Sequence, residues 1–138
     1  MPHELSLRLP GDPTYSPLAA RLLQEVSELP EGPDEEIVEP LLATFERLVA
    51  RMLAAVRDAG GGQFLSIDLA LAGDGLAVSL AVLASNGDAA SNDLLAEDDP
   101  ALQAARKAFD SVDVGPGPTG AVPGSGLVYR LTVGSRQG

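Results

Sequence analysis

The spacing of hydrophobic residues predicts one long amphipathic helix over residues 34–58. Apolar side chains recur there at i, i+3, i+4 and i+7, namely Val38, Leu41, Leu42, Phe45, Leu48, Val49, Met52, Leu53 and Val56. This period places a broad apolar stripe on the side of a helix that faces a core. Asp34 is the predicted N-cap, because its side chain can accept from a free amide of the first turn. Pro40 predicts either a kink or a start near Glu39, since proline has no amide hydrogen to donate.

Alternating apolar and polar residues predict the first strand, and short, mostly apolar segments predict the others. The segments are residues 3–9, 64–71, 76–83 and 127–133, and residues 111–114 fit a further short strand. Residues 72–75, with the sequence AGDG, predict a tight hairpin between the second and third strands. A first helix is predicted to open at Thr14 or Tyr15. A short third helix follows the cap sequence Asp98-Asp99-Pro100.

The predicted order of elements is β, α, α, β, β, α, β. Two consecutive helices followed by a hairpin favour an α+β class, with a two-layer α/β sandwich and a mostly antiparallel (mixed) sheet that carries its helices on one face. A length of 138 residues fits one domain over the whole chain, and residues 134–138 are expected to be a disordered tail.

The composition excludes several kinds of chemistry. The chain has no cysteine, so disulfides, thiol nucleophiles and thiolate metal sites are absent. Its one histidine is His3, which leaves no set of histidines for a metal or triad site. A formal net charge of −11 argues against direct nucleic-acid binding, because phosphate contacts need clustered basic residues. The charge fits either a basic protein partner or a surface that simply keeps the chain soluble.

No apolar run approaches the length of a membrane span, and the N-terminal residues lack the apolar centre of a signal peptide. We therefore expect no membrane partner and a cytoplasmic location.

The layout and several short segments resemble the anti-sigma factor and serine-protein kinase type of the GHKL (histidine-kinase-like) ATPase superfamily. The resemblance runs through LRLPGDPTYSPLAARLL, PDEEIVEPLLATFERLVARMLAAV, the three glycines, the GDG hairpin and the closing VYRLTV, and covers nearly the whole chain. It implies the Bergerat-like fold of that superfamily.

The resemblance also indicates which nucleotide-binding positions have changed. In the family, the central helix carries a glutamate followed four residues later by a magnesium-binding asparagine. Glu46 matches the glutamate, but Ala50 stands at the asparagine position and has no oxygen to bind magnesium. Val82 or Leu83 stands where the family has an aspartate for adenine. The nearby Asn86 belongs to an Asn-Gly-Asp sequence typical of a turn.

The family's glycine-rich lid is also missing. No glycine lies between Asp88 and Gly115 in this chain. The lid region instead carries acidic side chains that would repel a triphosphate, namely Asp93, Glu97, Asp98 and Asp99. As a calcium site this acidic run lacks regular ligand spacing, and a solvated loop is the preferred interpretation.

These changes predict a degenerate domain without catalytic, cofactor-binding or metal-binding residues, in which Glu46, Ala50 and Asn86 mark a vestigial pocket and no cofactor is bound. Arg47 and Arg51 are interpreted either as a partner-facing stripe or, preferably, as a balance for the acidic surface.

The expected function is a non-catalytic, non-ATP-binding regulatory module for protein–protein interaction, which resembles anti-sigma factors of transcription regulation. Its expected partner is a sigma factor or an antagonist. Two alternatives stay open: an active ATP- and magnesium-binding anti-sigma serine kinase with divergent motifs, and a purely structural dimerisation domain. An exposed N-terminal strand that pairs across a two-fold axis makes a homodimer a hypothesis both for the regulatory module and for the structural dimerisation domain.

Overall fold

The fold is an α+β sandwich of a five-stranded sheet and a layer of helices, as the sequence predicts. The computed structural model describes residues 3–29, 32–58, 63–72, 75–84, 98–116 and 127–134. The elements in chain order are β1 (His3–Pro10), α1 (Ser16–Ser27), α2 (Glu35–Asp58), β2 (Gln63–Ala72), β3 (Gly75–Ala84), α3 (Pro100–Ala108), β4 (Ser111–Pro116) and β5 (Leu127–Gly134), with a 3-10 turn at Pro13–Tyr15 between β1 and α1.

The sheet has the order β1-β2-β3-β5-β4, and every described pairing in it is antiparallel. The predicted hairpin joins β2 and β3, because Ala72 pairs with Gly75. β1 and β4 are the two edge strands of the sheet. The short strand predicted at residues 111–114 forms the first four residues of β4, and the described residues place five strands in the sheet.

One face of the sheet is apolar and carries the helices. Ile67 of β2 lies opposite Leu7 of β1 and Leu80 of β3, and Leu131 of β5 continues this face. Ile67, Leu80 and Leu131 are fully buried in a single apolar cluster that also contains residues of all three helices. The predicted two-layer arrangement with helices on one face is confirmed.

The other face is polar and open to solvent. A row of polar residues crosses all five strands on this face: Ser6, Asp68, Ser79, Arg130 and Asp113. The Ser6 hydroxyl donates a hydrogen bond to the Asp68 carboxylate within this row. The alternation of apolar and polar positions along each strand thus separates a core face from a solvent face.

The long helix α2 lies in the middle of the helical layer, between α1 and α3. Asp34 caps it as predicted, since its Oδ1 accepts from the Glu36 amide at 3.2 Å. The helix begins at Glu35 and continues through Pro40, so a start near Glu39 is wrong. Proline is tolerated because the carbonyl that loses its bond belongs to Glu36, an exposed residue of the first turn where water can replace the donor.

Candidate functional site: the groove between the first two helices

A concave surface lies between α1 and α2 on the outer side of the helical layer. α1 directs Ala19, Leu23 and Val26 into the core, and several of its other side chains border the groove. One part of the groove has a volume of about 530 Å³ and the adjoining part about 480 Å³. Both parts are lined by Gln24 and Leu42, so they form one continuous depression, here called the α1–α2 groove.

The floor of the α1–α2 groove is apolar. Leu42 and Val38 of α2 are half-buried there, and Ala20 of α1 is half-buried opposite them. Pro17 and Ala43 extend the apolar lining toward one end. A half-buried aliphatic floor is the kind of surface that gains free energy when another apolar side chain covers it.

The walls of the groove are strongly acidic. Five glutamates line it, against a single basic side chain, Arg21; the glutamates are Glu25, Glu28, Glu35, Glu39 and Glu46. These carboxylates come from both helices, and all but the half-buried Glu46 are exposed. The groove therefore concentrates negative charge of an already acidic chain over an apolar floor.

Two of the three predicted vestigial residues, Glu46 and Ala50, lie on this side of α2. Glu46 lines the end of the groove near Pro17 and Arg21 of α1. Ala50 is half-buried one helical turn further along α2. Asn86 lies outside the described residues, so the structure brings together only two of the three positions.

On the side of α2 that faces α3, Arg51 forms an ion pair with Asp99. Arg51 donates from Nε to Oδ2 of Asp99 at 3.1 Å, and Asp99 also caps α3. Arg51 follows Glu46 by five residues, a rotation of about 140° around the helix axis. Glu46 therefore faces α1, whereas Arg51 faces α3.

Two expectations for charged residues change with this contact. Arg51 forms an ion pair with one acidic residue, Asp99, which is a more specific contact than the sequence predicts for this residue. Asp99 is only 9% exposed, and it is therefore not part of a solvated loop. Asp98 is exposed as expected, whereas Asp93 and Glu97 lie outside the described residues.

Val82 is buried in the core. Its side chain is 6% exposed and belongs to the core face of β3, so it packs against the helical layer. The side chain of Leu83 lies outside the described part of the structure.

Among the described residues, no group of three or more acidic or histidine side chains is placed to hold a metal ion. None of the helices in the described ranges is long and apolar enough to cross a membrane.

Sequence reasoning missed the groove because its walls come from two helices. The glutamates on α2 recur at positions 35, 39 and 46, which fall on one side of a helix, and those on α1 recur at 25 and 28. A helical projection of each segment finds these stripes. Only the packing of α1 against α2 shows that the stripes face one another across an apolar floor.

No protein-family model matches the chain, and no curated protein matches it. The likeness to the GHKL superfamily accordingly remains a prediction from the sequence.

Proposed function

We propose that this chain is a non-catalytic regulatory module that binds another protein through the α1–α2 groove and does so without a nucleotide. The observation that carries the proposal is the combination of an apolar floor with five glutamates on the walls. A floor of this kind needs an apolar ligand face, and acidic walls need a cationic rim on that ligand.

The occupant that fits best is a basic amphipathic helix of a partner protein. The groove follows α1, whose 12 residues correspond to a length of roughly 18 Å. About three turns of a partner helix cover that length and present one stripe of apolar anchors, such as leucine side chains. Lysine and arginine residues beside that stripe would meet Glu28 on one wall and Glu39 on the other.

The resemblance to anti-sigma factors suggests the class of the partner, a sigma factor or one of its antagonists, and a role in transcription regulation in the cytoplasm. The geometry of Glu46 supports a role without catalysis. Its carboxylate borders a groove whose other walls hold further glutamates, an environment that disfavours the phosphates of a nucleotide. Ala50, one turn away, supplies no oxygen for magnesium.

The alternative is an active ATP- and magnesium-binding anti-sigma serine kinase. In that function Glu46 would activate the attacking hydroxyl and would need a nucleotide beside it. A purely structural dimerisation domain is the third class, and it would leave the α1–α2 groove without a ligand.

The proposal is tested by calorimetric titration of the full chain with a synthetic basic amphipathic helix. The probe carries leucines at i, i+3, i+4 and i+7 and lysines on both sides of that stripe. The expected result is saturable binding that weakens at least tenfold in the double variant Glu28→Lys and Glu39→Lys, because the change reverses the charge on both walls.

The matched control is the double variant Glu36→Lys and Asp113→Lys, which changes the net charge equally at exposed positions outside the groove. This control is expected to bind within about threefold of the unmodified chain. Equal loss of affinity in both double variants would show attraction to overall charge and overturn the assignment of the groove. Absence of binding to the unmodified chain would overturn the proposed occupant.

A further inference from the structure

The edge strand β1 has an unusually open outer side. Within the described residues it pairs only with β2, so its other side has no strand beside it. Leu5 points to the core face of the sheet and is nevertheless 42% exposed, while Leu7 is half-buried and Leu9 is buried. The helical layer therefore covers the end of β1 near Leu9 and leaves the part around Leu5 uncovered.

β1 lacks two features that protect edge strands, an inward-pointing acidic or basic residue near its middle and a proline before its end. Leu5, Leu7 and Leu9 point inward, and its one proline, Pro10, is the last residue of the strand. The opposite edge strand β4 has six residues and contains Asp113, whose charge would meet itself in a symmetric pair centred there. An open edge with exposed apolar residues favours pairing with another strand, so β1 is the edge to consider.

A two-fold axis allows few registers for pairing between two copies of β1. In a symmetric antiparallel pair, one residue lies opposite itself and its neighbours pair in reverse order. A centre at Leu5 places Glu4 opposite Ser6, and a centre at Leu7 places Arg8 opposite Ser6. A centre at Ser6 alone places Glu4 opposite Arg8 and Leu5 opposite Leu7.

We propose that a second copy of this chain pairs with β1 in the register centred at Ser6. In this register, Glu4 of each copy lies beside Arg8 of the other on the open face of the sheet. Leu5 of each copy lies beside Leu7 of the other on the helical face, which covers the exposed apolar surface. Opposite charges and apolar groups that lie directly opposite each other on neighbouring strands stabilise the pairing.

The charges at Glu4 and Arg8 are available for this contact. Their cross-strand neighbours on β2 are Ala70 and Ser66, neither of which is charged. In the described part of the chain, neither Glu4 nor Arg8 forms an ion pair. The resulting dimer has a continuous ten-stranded sheet with both helical layers on the same side. Formation of this dimer does not depend on ligand binding in the α1–α2 groove.

Charge reversal tests this register by light scattering, with sedimentation velocity as a second measure of mass. The unmodified chain is expected to reach twice the 14.2 kDa mass of one chain with rising concentration. Glu4→Arg and Arg8→Glu each place like charges opposite one another at two symmetric positions, so each is expected to weaken the dimer at least tenfold. The double variant with both changes restores opposite charges and is expected to dimerise like the unmodified chain.

A mixture of the two single variants gives the sharpest test, because all four charges in the mixed dimer are again opposite. The mixture is expected to form dimers that neither variant forms alone. Asp113→Arg, at the other edge of the sheet, is the matched control and is expected to dimerise normally. A monomer at every concentration, no rescue in the double variant and the mixture, or dissociation by Asp113→Arg would each overturn the proposal.

Discussion

Arg51 in the middle of α2 donates a hydrogen bond from its Nε to Oδ2 of Asp99, the residue that caps α3. The other carboxylate oxygen, Oδ1, accepts from the Ala101 amide at 2.9 Å. One side chain therefore satisfies the first turn of α3 and links that helix to α2. The two partners are 48 residues apart in the chain, so this contact fixes where α3 begins on the helical layer.

Replacing Asp99 with alanine is expected to lower the free energy of unfolding by about 1–2 kcal/mol, because the α3 cap and the contact to Arg51 are both lost. Asp99→Asn keeps a capping oxygen and removes the charge, and is expected to cost about 0.5 kcal/mol, because Arg51 is 47% exposed and the ion pair is screened by water. Urea denaturation measures both values. Asp98→Ala is the control, since Asp98 is exposed; an equal loss there would contradict a specific role for Asp99.

Gly75 is expected to be the glycine least tolerant of substitution among those described. Its φ of +132° is rarely adopted by residues with a side chain, and a Cβ at this position would lie 2.3 Å from the Val133 carbonyl oxygen. Gly75→Ala is therefore expected to lower the free energy of unfolding by at least about 2 kcal/mol. Ala77→Ser, at an exposed position on the same strand, is expected to change it by less than about 0.5 kcal/mol. A thermal melt of Gly75→Ala that matches the unmodified chain would contradict the described hairpin geometry.

The Asp12 carboxylate is expected to make part of the stability depend on pH. Hydrogen bonds from the Thr14 amide, at 3.0 Å, and the Thr14 side chain hold the pKa of Asp12 below its ordinary value, and the charge of Arg57 lowers it further. Because folding lowers this pKa, the contribution of Asp12 is present at neutral pH. This contribution to stability is lost progressively as the pH falls from about 4 to values below the pKa of Asp12 in the folded chain.

Asp12→Asn removes the titration while it keeps an oxygen that can accept from the Thr14 amide. The unmodified chain is expected to be more stable than this variant at pH 7. The difference in the free energy of unfolding is expected to shrink toward zero at pH values below the folded-state pKa of Asp12. Paired urea titrations across this range measure the change. A stability difference that does not depend on pH would show that the ionised carboxylate makes no contribution.

Most of the fold was predictable because local patterns determined the elements. The apolar stripe of α2, the mostly apolar segments of β2 and β3, and the Asp99-Pro100 start of α3 each carried a signal within a few neighbouring residues. Pro40 was harder to predict, because whether a helix tolerates proline depends on the exposure of Glu36.

The site was less predictable because its contacts join distant segments. The wall of the groove at Glu28 and the wall at Glu39 belong to different helices, and their relation depends on how α1 packs on α2. The pairing of Arg51 with Asp99 has the same origin, since nothing near either residue in the chain identifies the other. By contrast, Glu46 and Ala50 were located from the resemblance, and their side of α2 became known only from the packing.

The most direct test of the central claim, that this chain binds a protein segment in the α1–α2 groove and needs no nucleotide, is a nuclear magnetic resonance titration of the isotopically labelled full chain. The basic amphipathic helix described above is added in the presence and absence of millimolar magnesium-ATP. We expect the amide signals of Ala20, Gln24 and Leu42 to shift with the peptide, those of Ala77 and Arg130 to stay in place, and the affinity to be the same under both conditions. Shifts at Ala50 and its neighbours with magnesium-ATP alone, or peptide binding that requires the nucleotide, would contradict the claim and favour the kinase.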